Sequence, residues 1–140
     1  MKEFLYPSKY VLIVTIVVVI ISIYIIFAYK DNITIPIFLL LLNIYLFLSY
    51  PIYISKSDES VILYRLRGKA IFKKSEFNIY KINKNDLSNS IRTFASGGLF
   101  GYQGYFYSSK LGHFKMIAVN LNNLSIFENK STGKKIVLNY

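Results

Sequence analysis

RTFASGGLFGYQGYF, residues 92–106, sets Gly98, Gly101 and Gly104 three residues apart among Phe94, Phe100, Tyr102, Tyr105 and Phe106. Glycine at this density serves either a phosphate cradle or a backbone that must turn. A dinucleotide fingerprint requires G-x-G-x-x-G between a strand and a helix, and a P-loop requires G-x-x-x-x-G-K-[ST]. Neither spacing occurs here. The aromatic residues after Gly101 predict a strand instead. Gly97 and Gly98 are therefore expected to form a bend or bulge. Gly101 and Gly104 are expected to let another backbone or an aromatic ring lie close.

The same texture extends over residues 57–140. Short alternating segments broken by Gly, Asn, Asp and Ser predict antiparallel strands at 60–66, 70–73, 77–82, 90–95, 104–108, 113–120, 124–128 and 135–140. Strands spaced this tightly predict a meander, in which neighbours in sequence pair in space. Phe114, Met116 and Ala118 alternate with His113, Lys115, Ile117 and Val119, so both faces are partly apolar. A curled sheet or a sandwich would cover the second face.

Upstream the pattern is different. The twenty residues 10–29, YVLIVTIVVVIISIYIIFAY, carry no charge, which at 1.5 Å per residue matches a hydrocarbon layer of about 30 Å. After Lys30, Asp31 and Asn32 a second uncharged run follows, read as a span over 33–54, with Pro36 near its start and Pro51 near its end. The first run is too long for the core of a cleaved signal, about 7–15 residues, and no small-x-small site follows it. The expected organisation is an N-terminal segment 1–9, transmembrane helices at 10–29 and 33–54, and a β domain at 57–140. Lys2 and Lys9 precede the first span, only Lys30 lies in the turn, and Lys56, Arg65, Arg67 and Lys69 follow the second. That bias places both ends in the cytoplasm.

The whole chain carries +10. Fourteen of the 17 basic residues lie after Ser55 against five acidic ones, so that part carries +9. A basic domain held beside an anionic leaflet is attracted by roughly 1 kcal/mol per Lys or Arg near the surface. AT-rich coding sequence, which yields abundant Ile, Lys, Asn, Tyr and Phe, accounts for the same excess, and both readings stand. Arg65, Arg67, Lys69, Lys73 and Lys74 gather on two segments joined near Gly68, where alternate residues would share a face able to hold lipid phosphates or a partner. An exposed basic edge that discourages strand pairing is the competing account. Tyr64 and Phe72 are too few for a nucleic-acid platform, so no nucleic acid is expected.

Catalytic machinery is not visible. Cysteine is absent, which removes thiolate metal sites and cysteine nucleophiles. His113 is the single histidine, Asp58 and Glu59 share a turn, and Glu76, Asp86 and Glu128 are isolated. No G-x-S-x-G setting occurs. The expectation is a protein that is no enzyme and carries no cofactor or metal. Asn43, the one strongly polar side chain deep in either span, is expected to bond another helix, in the chain or in an oligomer.

Residues 91–140 resemble the bacterial pleckstrin-homology-like domain family. An Arg-x-Phe start, a glycine-rich stretch, a Gly-x-Phe strand, a Leu-Gly turn and a closing pair around Gly-Lys follow in that family's order. Arg92, Phe94, Gly97, Gly98, Gly101, Gly104, Phe106, Leu111, Gly112, Gly133 and Lys134 fill those places. The resemblance implies a strongly bent antiparallel sheet or partial barrel, often after two membrane spans and closed by a C-terminal helix. Ala95 stands where glycine is usual, and no such helix follows the last strand. A multi-pass protein of the bacterial cytoplasmic (inner) membrane is implied, its domain contacting anionic headgroups, a protein partner or a second copy. The alternative is an accessory subunit of a membrane enzyme or transporter, with a site between hairpin and β domain.

Overall fold

The structure, a computed structural model, describes residues 1–28 and 33–140. The turn expected at Lys30, Asp31 and Asn32 lies outside the described residues, as does Tyr29. The elements run β1 (Lys2–Phe4), α1 (Lys9–Ala28), α2 (Thr34–Leu48), β2 (Pro51–Lys56), β3 (Ser60–Arg65), β4 (Gly68–Lys73) and β5 (Phe77–Ile82). A short 3-10 helix at Lys84–Leu87 leads to β6 (Ile91–Gly98), β7 (Gly101–Ser108), β8 (Gly112–Ala118), β9 (Leu124–Asn129) and β10 (Lys135–Asn139).

Ser8 caps α1, its hydroxyl accepting the Val11 amide at 3.3 Å. The helix then runs 20 residues and buries only Val11 and Ser22. Ile, Val, Tyr and Phe side chains stand exposed all around it. It is long and apolar enough to cross a membrane. The second uncharged run does not form one span. α2 covers 15 residues, about 22 Å at the helical rise, and residues 51–56 are a strand. Pro51 has no amide to continue the helix, and Ile54 is fully buried between the sheets. Hydropathy alone does not separate a buried strand from the end of a span.

Four strands form one sheet in the order β1-β2-β3-β4, and six form another in the order β5-β9-β10-β8-β7-β6. Neither closes into a barrel. The meander holds for β2-β3-β4 and β6-β7-β8 and fails afterwards. β9 pairs with β5, and β10 enters beside β8 in parallel, Val137 opposite Met116. The six-stranded sheet is therefore mixed, where an all-antiparallel one was expected. Asn139 secures the crossing: its Oδ1 accepts the Val119 amide at 2.9 Å, and its Nδ2 donates to the Asn122 carbonyl at 2.7 Å.

Strand alternation builds two cores. Ile117, Phe127 and Leu138 face Ile54, Val61, Leu63 and Phe72 of the four-stranded sheet. Phe114, Met116, Ile126 and Val137 point the other way, under Leu87, Leu111 and Leu121. Strands β8, β9 and β10 thus bury side chains on both faces. The N-terminal segment belongs to this unit too, because β1 pairs with β2, Phe4 opposite Tyr53. The β domain consequently begins at Lys2 rather than at residue 57.

Candidate functional site

The β6–β7 turn docks on α1. The Phe100 amide donates to the Thr15 hydroxyl at 2.9 Å, and that hydroxyl reaches the Gly98 carbonyl at 3.4 Å. Phe47 of α2 meets the Phe100 ring edge-on with centroids 5.7 Å apart. Gly98 has φ +130°, and a Cβ there would lie 3.1 Å from the Tyr10 ring and 3.3 Å from Val14. Gly101, with φ +101°, passes under the Ala118 carbonyl, which would stand 2.6 Å from a Cβ. Gly104 lies equally tight against the Phe94–Ala95 backbone, and the Arg92 side chain crosses over Gly97. The glycine ladder therefore admits a helix and two neighbouring strands. A bulge at Thr93 offsets β6 from β7 just before Phe94, and Phe106 is buried while Gly112 turns the chain into β8.

Between α2, the β3–β4 turn and strands β6–β8 lies a cleft of about 630 Å³. Ligand sites occupy about 300–1,000 Å³. On its helical side Val14, Leu42 and Leu46 form an apolar wall, with the Tyr45 phenol and Ser49 at the end of α2. Its sheet wall is the part of the β6–β8 face beyond the reach of the four-stranded sheet. Three cations face it: Arg65, Arg67 and Lys115.

Strand geometry sorts the predicted basic cluster. Residues directly opposite in an antiparallel pair share a face. Arg65 pairs with Gly68 and Tyr64 with Lys69, so Arg65 follows Val61 and Leu63 on the inner face while Lys69 and Lys73 lie on the outer one. The expectation of one shared basic face is corrected accordingly. Lys69 and Lys73 are exposed, and Lys73 pairs with Glu76 at 3.2 Å. Lys74 follows the end of β4, where its amide donates to the Glu59 carbonyl. Arg67 sits at the helix end, its amide donating to the Leu48 carbonyl at 2.9 Å and its guanidinium 5.1 Å over the Tyr45 ring.

The cleft is electrostatically unbalanced. No Asp or Glu lines it, and among the described residues the ion pairs include none of its three cations. Arg65 is half-buried, and its Nε is buried with no partner. Burial first, then the like charge of Arg67, push its guanidinium below the usual value. Lys115 lies 5.6 Å from the Tyr105 ring, and the Tyr45 phenol, hydrogen-bonded by Arg67, also lies near Lys115. Sequence reasoning missed Lys115 because fifty residues separate it from Arg65, and no local pattern marks that approach.

Asn43 bonds within the chain. Its Nδ2 donates to Ser22 Oγ of α1 at 3.1 Å and to the Leu39 carbonyl at 2.8 Å. His113 is exposed, its ring 4.9 Å from that of Tyr107. Among the described residues no three His, Asp or Glu side chains gather as a metal site. Comparison with family models, with curated proteins and with solved structures finds no match to this chain.

Proposed function

We propose that the chain is a non-enzymatic integral membrane protein whose two helices form a bilayer hairpin and whose β domain binds anionic lipid headgroups at the cytoplasmic surface. The observation that carries this reading is the pairing of an all-round apolar α1, with only two buried residues, and a cationic face at the helix ends. Exposed apolar surface of that extent needs a lipid or protein cover. Arg67, bonded to the last turn of α2, stands at headgroup depth in this arrangement, with α2 short enough to require some local thinning. The likeness of residues 91–140 to the bacterial pleckstrin-homology-like family enters as motif order alone, and the mixed sheet differs from that family's bent antiparallel one. The cleft between helices and sheet favours a second reading, an accessory subunit whose site lies at that junction.

The absence of cysteine makes the topology directly testable. Ser131→Cys, in the exposed β9–β10 turn, is expected to resist a membrane-impermeant maleimide in intact cells and to react after lysis. Reaction in intact cells refutes the cytoplasmic placement. For the lipid arm, the full chain in phosphatidylcholine discs is expected to melt higher when phosphatidylglycerol is added, with a gain that shrinks at high salt. Equal melting in both discs refutes headgroup binding.

A further inference from the structure

We propose that the cleft between α2 and strands β6–β8 is a built site for one anionic amphiphile, its phosphate held by Arg65, Arg67 and Lys115 and its acyl chain lying along Leu42 and Leu46. The inference rests on the bilayer reading above and goes past it, from diffuse attraction at a surface to one bound molecule.

Charge carries the argument first. Three cations line one space with no carboxylate in its lining, Arg65 and Lys115 half-buried and Arg67 at its exposed rim beside the Tyr45 phenol. Withdrawing like charges from water without a partner is costly, and an anion bound among them would offset that cost. Arg65 Nε is the sharpest sign, a guanidinium donor withdrawn from solvent that bonds nothing in the chain. A planar fork of donors suits phosphate oxygens, and Lys115 adds a point charge from the opposite wall.

Shape supplies the rest. A free phosphate would fill a small part of about 630 Å³. Leu42 and Leu46 give the remainder an apolar wall on the helix side, and that helix's other faces are exposed Ile, Leu and Phe, so this side of the cleft is continuous with the layer that would hold lipid tails. A ligand with an anionic head and an apolar tail satisfies both halves, and neither half alone does. Lys69 and Lys73, on the outer face of β4, take no part.

The test uses the full chain in a nonionic detergent and native mass spectrometry with three probes: dioleoyl phosphatidylglycerol, dioleoyl phosphatidylcholine and inorganic phosphate. One phosphatidylglycerol per chain is expected, preferred over phosphatidylcholine by about tenfold or more, and millimolar phosphate is expected not to displace it. Arg65→Gln and Lys115→Gln should each weaken retention about tenfold, the loss of one charge-assisted hydrogen bond. Leu46→Trp, which fills the cleft from a half-buried helix position, should abolish retention, while Lys69→Gln should leave it unchanged. If Arg65→Gln fails to fold, Lys115→Gln and Leu46→Trp decide. Retention lost equally in Lys69→Gln and Lys115→Gln but kept in Leu46→Trp overturns the cleft and leaves surface binding standing. Displacement by inorganic phosphate overturns the amphiphile in favour of a soluble anion. Absence of any preference for phosphatidylglycerol overturns both proposals.

Discussion

Thr15→Val isolates the joint between helix and sheet. The Thr15 hydroxyl is the partner of the Phe100 amide at 2.9 Å, in a part-buried place, and its contact with the Gly98 carbonyl is long at 3.4 Å. Leaving a desolvated amide without an acceptor costs about 1–3 kcal/mol, and the long contact adds little. The new methyl recovers up to about 0.8 kcal/mol if it packs against Gly98. The net expectation is about 1–2 kcal/mol, concentrated at the β6–β7 turn. Phe100 holds φ +53°, a conformation that L-residues adopt at a cost, so a turn that loses its anchor has strain to release.

Hydrogen exchange at the Phe100 amide, in detergent, reads this locally. Its protection should fall roughly five- to thirtyfold in Thr15→Val, while amides in the β9–β10 pair keep their rates. Thr15→Ser retains the hydroxyl and should exchange like the parent. Identical Phe100 rates in parent and Thr15→Val, or identical behaviour of the Val and Ser variants, would show that the turn does not rely on α1.

Three further outcomes are expected. Phe127→Ala removes a fully buried ring lying 5.3 Å from both Phe72 and Tyr140, and should cost about 3–5 kcal/mol in denaturant unfolding; a loss below about 1 kcal/mol would show that the two sheets do not share a core there. Asn43→Leu should loosen the helix pair by about 0.5–1.5 kcal/mol yet leave self-association in detergent unchanged, because its amide bonds Ser22 of the same chain; dissociation of an oligomer would relocate that bond between chains. The Asn83 amide, and then Lys110, hold the Asp86 carboxyl below its ordinary value of 3.8. Its contribution to the 3-10 turn is therefore complete above that value and lost as the pH falls through the lower folded one. A carboxyl titration followed by NMR with a midpoint at or above 3.8 would contradict the capping geometry.

Most strands from Ser60 onward were legible because β3 and β7 alternate in burial and the turns carry Gly, Asn and Asp; the bend expected at Gly97 and Gly98 is instead the paired end of β6, and the turn falls at Leu99 and Phe100. Helix α1 was legible because twenty consecutive uncharged residues with no Gly, Pro or Asn to break them exceed the length of any strand. β2 was not, since Pro51, Ile54 and the stacked Tyr53 are as uncharged as a span while serving a sheet. β1 is three exposed residues, too short to show a period. The order of strands failed at β10 because pairing partners across long connections leave no local trace, and Asn139, whose side chain bonds the loop after β8, reads as one more polar residue near the end of a strand. The site was half legible. Arg65 and Arg67 stood out with Lys69 and Lys73 because a period of two groups all four, but the two-residue turn that pairs Arg65 with Gly68 sends Lys69 and Lys73 to the other face, and only the fold brings Lys115 opposite.

The pairing of β1 with β2 changes what the helices are. They interrupt an antiparallel strand pair, Lys2 opposite Ser55 and Phe4 opposite Tyr53, so both helix ends are fixed to one sheet. That pairing puts the start of α1 and the end of α2 on the same side of any layer the helices enter, independently of the Lys and Arg count. The helices and the β unit are also inseparable as reagents. A fragment beginning at Ser57 would strip β1 and β2, expose Val61 and Leu63, and remove Ile54 from the shared core. It would also take away α2, and with it the apolar half of the cleft. Binding by such a fragment would therefore report on Lys69, Lys73 and their exposed neighbours, whereas the full chain is the molecule in which Arg65, Arg67 and Lys115 meet one space.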